Sequence, residues 1–212
     1  MKLTTFALLP IAAAITLGAT QPAGAAEAQR FLTRGRTATT SSESLDATGC
    51  RTTSLFVETG EAGGPSNTIA VGPFVVVRLH QQDLCDLDAS GNPRALVDVA
   101  EFLNLPEGAI VIDKSLESAR LAATVLAFDL VSGSELPLTL DLSWTATGLR
   151  SHQNEHFVDV TPDQLVVLSA VGSVRSASAS DNVTDGQTNY APEVDLGASL
   201  SQLSSGVLLI TR

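Results

Sequence analysis

Positive charge is what this chain has least of. Its 212 residues hold 12 Lys and Arg against 23 Asp and Glu, a net charge of −11. After Lys2 the sole lysine is Lys114, and the arginines are spread singly. Without a basic patch, nucleic acid and anionic lipid are excluded as partners, because their phosphates would be repelled. Aromatic rings are also scarce: one Trp, one Tyr and seven Phe. A sugar-stacking surface would have to be built from Trp144 or Tyr190. Three histidines, His80, His152 and His156, leave little for acid–base work, and no G-x-S-x-G elbow is present. Gly63-Gly64 runs into Pro65 and not into a helix N-terminus, so it is no phosphate cradle. Beyond the first residues, no window repeats apolar side chains at i, i+3, i+4 and i+7, and no apolar run is long enough to span a bilayer. No cofactor is implied.

Residues 1–26 read as a signal peptide. Lys2 supplies the positive start, Leu3 to Leu17 the short apolar core, and Ala23-Gly24-Ala25 a small-residue cleavage site. The apolar core is shorter than a membrane span and is interrupted by Pro10. Cleavage removes Lys2 and one positive charge, taking the net from −11 to −12. The remainder, 27–212, is expected to be one domain, secreted to a periplasm or the medium, with no membrane attachment after cleavage.

What the chain does have is strand pattern. From Leu136 to Trp144 every even residue is large and apolar, while the odd ones are Pro, polar or charged. That period of two predicts a strand with one buried face and Trp144 in the core. Leu121 to Leu130, with Val125, Leu126 and Phe128 at its centre, is apolar almost throughout and predicts a strand covered on both faces or nearly so. Val131-Ser132-Gly133-Ser134-Glu135 joins the two as a hairpin. Short strands are expected at Ala95–Val99 and Ala109–Ile112, then a polar connection from Leu149 to Pro162. Leu165–Val174 follows with Gly172 as a bulge, then a small-residue strand at Ser176–Ser180 and an Asp185-Gly186 hairpin turn. A last strand covers Gly206–Arg212. About ten short strands without a helix predict an all-β fold, a single antiparallel β-sandwich of immunoglobulin-like or jelly-roll-like kind.

The two cysteines fit an oxidising compartment. Cys50 opens one apolar stretch. Cys85 closes another, running from Ile69 to Leu84, with a Gly-rich loop between the two. A long hairpin stapled at its open end by a Cys50–Cys85 disulfide is the expected arrangement. A redox pair would want C-x-x-C spacing.

Four segments resemble those of secreted bacterial all-β proteins of uncharacterised function: Thr48-Gly49-Cys50, Leu121 to Gly133, Asp141 to Gly148, and Asp185 to Tyr190. The resemblance spans most of 27–212 and implies the secreted compartment and the β class. It implies no catalytic residue.

Two spacings look metal-like. His152-Gln153-Asn154-Glu155-His156 matches H-x-x-E-H, in which two His one helical turn apart hold zinc and the Glu acts as base. Its third ligand would have to be Glu193, and the motif sits in a polar link, so an ordinary loop is expected. Asp86, Asp88 and Ser90, followed by Gly91, resemble the opening of a calcium loop, but the twelfth position is Val97 instead of Glu. Asx turns use the same residues. His80 and Tyr190 are expected at the surface, and Asn182-Val183-Thr184 is a sequon explained by the neighbouring turn. Taken together these point to a secreted non-enzymatic protein for extracellular binding or structure, its ligand or protein partner unknown. The alternatives are a hydrolase whose site assembles from distant residues, and a subunit of a surface fibre or matrix that uses an exposed strand edge.

Overall fold

A computed structural model describes residues 27–63, 71–191 and 195–211, and every regular element among them is a β-strand. The segment read as a signal peptide, Ile69 and Glu193 lie outside the described residues. The strands are β1 (Glu27–Leu45), β2 (Arg51–Gly63), β3 (Val71–Leu87), β4 (Pro93–Asn104), β5 (Ile110–Ile112), β6 (Ser118–Asp129), β7 (Ser134–Ala146), β8 (Ser151–Val160), β9 (Gln164–Thr184) and β10 (Asp195–Thr211). They form one sheet in the order β4-β3-β2-β1-β10-β9-β7-β6-β5, with β8 also paired to β9. Every pairing is antiparallel.

Alternation decides what enters the core. Leu55 and Val57 of β2, Val75, Val77 and Leu79 of β3, and Val99 of β4 face inward. Leu121, Val125 and Ala127 of β6 and Leu138, Leu140, Leu142 and Trp144 of β7 do the same from the other end of the sheet, and all belong to one buried cluster. The sheet therefore folds back on itself. Polar contacts fix the closure: the Trp144 indole N–H donates to the Thr39 carbonyl at 2.9 Å, and Arg36 Nη1 donates to the Ile112 carbonyl at 2.5 Å. Where β4 meets the β6–β7 turn, the Leu130 N–H donates to the Asp98 carbonyl at 2.8 Å. The Asp98 N–H donates to the buried Asp129 carboxylate at 2.9 Å.

The strand from Leu136 to Trp144 and the Gly133 turn, with φ 68°, follow the sequence pattern. Several other expectations are corrected. β6 is covered on one face only: Leu126 and Phe128 are 58% and 43% exposed while Val125 and Ala127 are buried, because no second layer lies outside it among the described residues. The strands are long, up to 21 residues in β9, and the small-residue stretch Ser176–Ser180 lies within its second half. Gly172 is no bulge, since its register to Leu203 and Gln153 runs on without a shift. The Leu149–Pro162 connection contains strand β8. Asp185-Gly186 turns the chain within a longer excursion closed by a Thr184–Asn189 bridge, and the sequon Asn182 lies on β9 and not in the turn. β1 has no counterpart in the sequence expectation. Its inward residues, Ala38, Thr40 and Ser42, are buried yet small or polar.

Candidate functional site

Register brings together residues far apart in the sequence. Glu43 of β1, Ser54 of β2, His80 of β3 and Asp98 of β4 stand side by side on the outer face of the sheet. One residue pair further along lies Arg78, whose guanidinium stands 5.9 Å from the Phe56 ring centroid, a cation–π contact. These side chains line an open cavity of about 390 Å³. Burial pushes the nearby Glu58 carboxyl above its ordinary value, and the Arg78 charge opposes that rise. Phe74 and Phe102 stack at 5.2 Å beyond it.

Ser, His and Asp in a row invite a catalytic reading, and the geometry does not support one. His80 Nδ1 lies 3.5 Å from Asp98 Oδ1, but its Nε2 meets the Gln82 side-chain amide, and no side-chain hydrogen bond joins Ser54 to His80. The backbone N–H groups of β2 and β3 are spent in ladder pairs, so the flat face has no spare pair of donors for an oxyanion. What this surface can do is hold a polar ligand. Sequence reasoning could not have found the row, because only the strand register makes neighbours of Ser54, His80 and Asp98.

The residues singled out in the sequence fall elsewhere. Cys50 and Cys85 are bonded, their Cα atoms 5.2 Å apart, at the open end of the β2–β3 pair. Asp88 receives the backbone N–H groups of Ser90 and Asn92, which lowers its pKa, while Asp86 pairs with Arg94 at 3.0 Å. The carboxylates are thus divided between an Asx turn and an ion pair. Trp144 is 1% exposed. Tyr190, expected at the surface, is 4% exposed, and its O–H donates to Asp185 at 2.8 Å. Burial, and then that carboxylate, push its pKa up to about 12.

The resembling segments turn out to be turn caps and core. Asp46 accepts from the backbone N–H groups of Arg51 and Cys50 and from the Thr48 hydroxyl, which holds its carboxyl below the usual range and fixes the Thr48-Gly49-Cys50 corner. Asp185 does the same for Gln187 and Thr188, and Asp129 for Val131 and Ser132.

His152 and His156 lie on strand β8, correcting the expected loop. Residues four apart on a strand are about 13 Å apart, more than twice the spacing of one helical turn, so one ion cannot bridge them. Each ring instead meets a serine of β9: His152 Nδ1 and Ser173 Oγ at 3.0 Å, His156 Nδ1 and Ser169 Oγ at 3.1 Å. All ten residues of β8 are exposed, including Phe157 (59%), Val158 (48%) and Val160 (62%). The chain matches no protein-family model and no curated protein.

Proposed function

We propose that this is a secreted, non-enzymatic β-sandwich protein that acts outside the cell by binding or assembly. The two ends of its sheet, β2–β4 and β6–β7, serve as the layers facing each other across the core. One observation carries the functional reading: the turn carboxylates are used up as caps, whereas apolar side chains on β8 are left uncovered. Asp46, Asp88, Asp129 and Asp185 each receive backbone N–H groups, and a carboxylate so engaged is a poor general base. Phe157, Val158 and Val160 have no covering element among the described residues, and exposed apolar strands of this kind mark interaction surfaces. The disulfide is compatible with the oxidising compartment that the amino-terminal segment suggests.

The test has two arms. Purified protein is expected to co-sediment with the surface fraction of the producing cells, and to turn over no ester, glycoside or peptide substrate. Turnover abolished by His80→Ala or Asp98→Ala would overturn the non-enzymatic reading in favour of a hydrolase.

A further inference from the structure

We infer that two copies of this chain join edge to edge through β8, antiparallel and centred on His156, so that the two sheets become one. The inference rests on the assembly half of the function proposed above.

The edge is long and open. β8 pairs with β9 along its whole length without a register shift, and its other side has no partner among the described residues. At the two ends of the sheet, β4 is tied to the β6–β7 turn through Asp98, and β5 has three residues. Edge strands are usually protected by charged side chains, lysine above all, by proline or by a bulge. β8 has no lysine, proline or bulge, and its charges are confined to Glu155 and Asp159.

Hydrogen-bond alternation identifies the groups left free. Thr161 and Gln164 exchange both backbone hydrogen bonds across the turn, at 2.8 and 3.4 Å. Counting back in twos, Asp159, Phe157, Glu155, Gln153 and Ser151 bond to β9. His152, Asn154, His156, Val158 and Val160 therefore turn their N–H and C=O groups outward. That is a ready template for another strand.

Charge complementarity selects a copy as the occupant: it disfavours the registers centred on Glu155 and Phe157, and an Arg150–Asp163 contact, made twice, favours the one centred on His156 over its other neighbours. Centred on Glu155, a two-fold pairing would set Glu155 against itself. Centred on Phe157, it would set Glu155 against Asp159 twice. Like charges directly opposite are destabilising. Centred on His156, Glu155 faces Phe157 of the other copy, Gln153 faces Asp159, Asn154 faces Val158 and His152 faces Val160. No like-charged carboxylates are opposed. In the same register Arg150 comes beside the Pro162-Asp163 turn of the other copy, and the symmetry makes this contact twice. Both residues are exposed, and neither has an ion pair among the described residues. The strand is thus self-complementary in hydrogen bonds and in charge, the condition for an isologous dimer.

Sedimentation equilibrium of the secreted protein tests this. The wild type is expected to show a monomer–dimer equilibrium. Asn154→Pro removes an outward N–H and no bond to β9, so dimer is lost while the thermal melt of the monomer is unchanged. Arg150→Glu is expected to raise the dissociation constant by about tenfold, and Arg150→Glu combined with Asp163→Arg to restore it. The charge pair keeps the test decisive if the proline variant misfolds. A wild type that stays monomeric at all concentrations, a dimer indifferent to these changes, or preferential capture of an unrelated extended peptide by β8 overturns the inference. A monomer that still binds the cell-surface fraction would refute this dimer and leave the function proposal standing.

Discussion

Replacing Trp144 by alanine tests the whole closure of the sheet in one measurement. The indole is 1% exposed, belongs to the same buried cluster as Leu138, Leu140 and Leu142, and donates its N–H to the Thr39 carbonyl at 2.9 Å. Truncation leaves a cavity and removes a hydrogen bond across the core, a combination that costs about 3–5 kcal/mol. For a chain of this size each kcal/mol moves the midpoint by about 2–4 °C, so the melting temperature should fall by about 6–20 °C. Trp144→Phe keeps most of the volume and removes the donor, and should cost about 1–3 kcal/mol. The gap between the two variants separates packing from the hydrogen bond. Because Trp144 is the sole tryptophan, urea unfolding has to be followed by circular dichroism, at unchanged m. In the wild type its fluorescence should be blue-shifted and shielded from iodide. An alanine variant within about 0.5 kcal/mol of the parent would refute the reasoning. So would a red-shifted, fully quenchable indole, which would make Trp144 a ligand platform.

Cutting the Cys50–Cys85 bond opens a loop of sequence separation 35, and in the chain-entropy model reduction should cost about 4 kcal/mol. Non-reducing mass spectrometry that finds two free thiols would refute the bond itself. Burial alone would raise the Asp129 pKa, but hydrogen bonds from Asp98, Ser132 and Val131 hold it below the usual range. Its contribution is therefore present above the ordinary carboxylate pKa and lost as pH falls below it, so Asp129→Asn should flatten the acid limb of the stability profile. Tyr190, the sole tyrosine, is pushed up to about 12, so its native ultraviolet titration should be absent near 10. The stability this confers is complete below the unfolded tyrosine pKa and is lost as pH climbs toward about 12.

How much of this was legible in the sequence depended on whether a strand has one wet and one dry face. β7 does, with Leu138, Leu140, Leu142 and Trp144 buried between exposed polar neighbours, and its alternation was plain. β6 was legible as a strand but misjudged in cover. Its outward Leu126 and Phe128 are as apolar as its inward Val125, and letters alone cannot say that the outer layer is missing. β1 could not be read at all. It sits in the centre of the sheet between β2 and β10, where its backbone is paired on both sides, and it fills the core with Ala38, Thr40 and Ser42. Its contribution is hydrogen-bonded ladder and close approach, and neither leaves a hydropathy signal. Tyr190 was misplaced for a related reason. A phenol next to an Asp-Gly turn reads as a surface ring until Asp185 is seen to accept its hydrogen bond.

β8 is the extreme case, and it joins the fold to the functional proposal. Ser151-His152-Gln153-Asn154-Glu155-His156 carries no alternation because neither face of the strand is buried, so period-based reasoning returns a loop. What makes the segment a strand lies in β9, whose ladder continues ten residues past its contact with β7 and supplies partners from Leu165 to Val174. Such an isolated outer strand gains hydrogen bonds on one side only and buries little, so its own stability is low for its length. A second copy would supply the missing side. The feature that hid β8 from the sequence, two exposed faces and an open edge, is thus the same feature on which the proposed dimer rests.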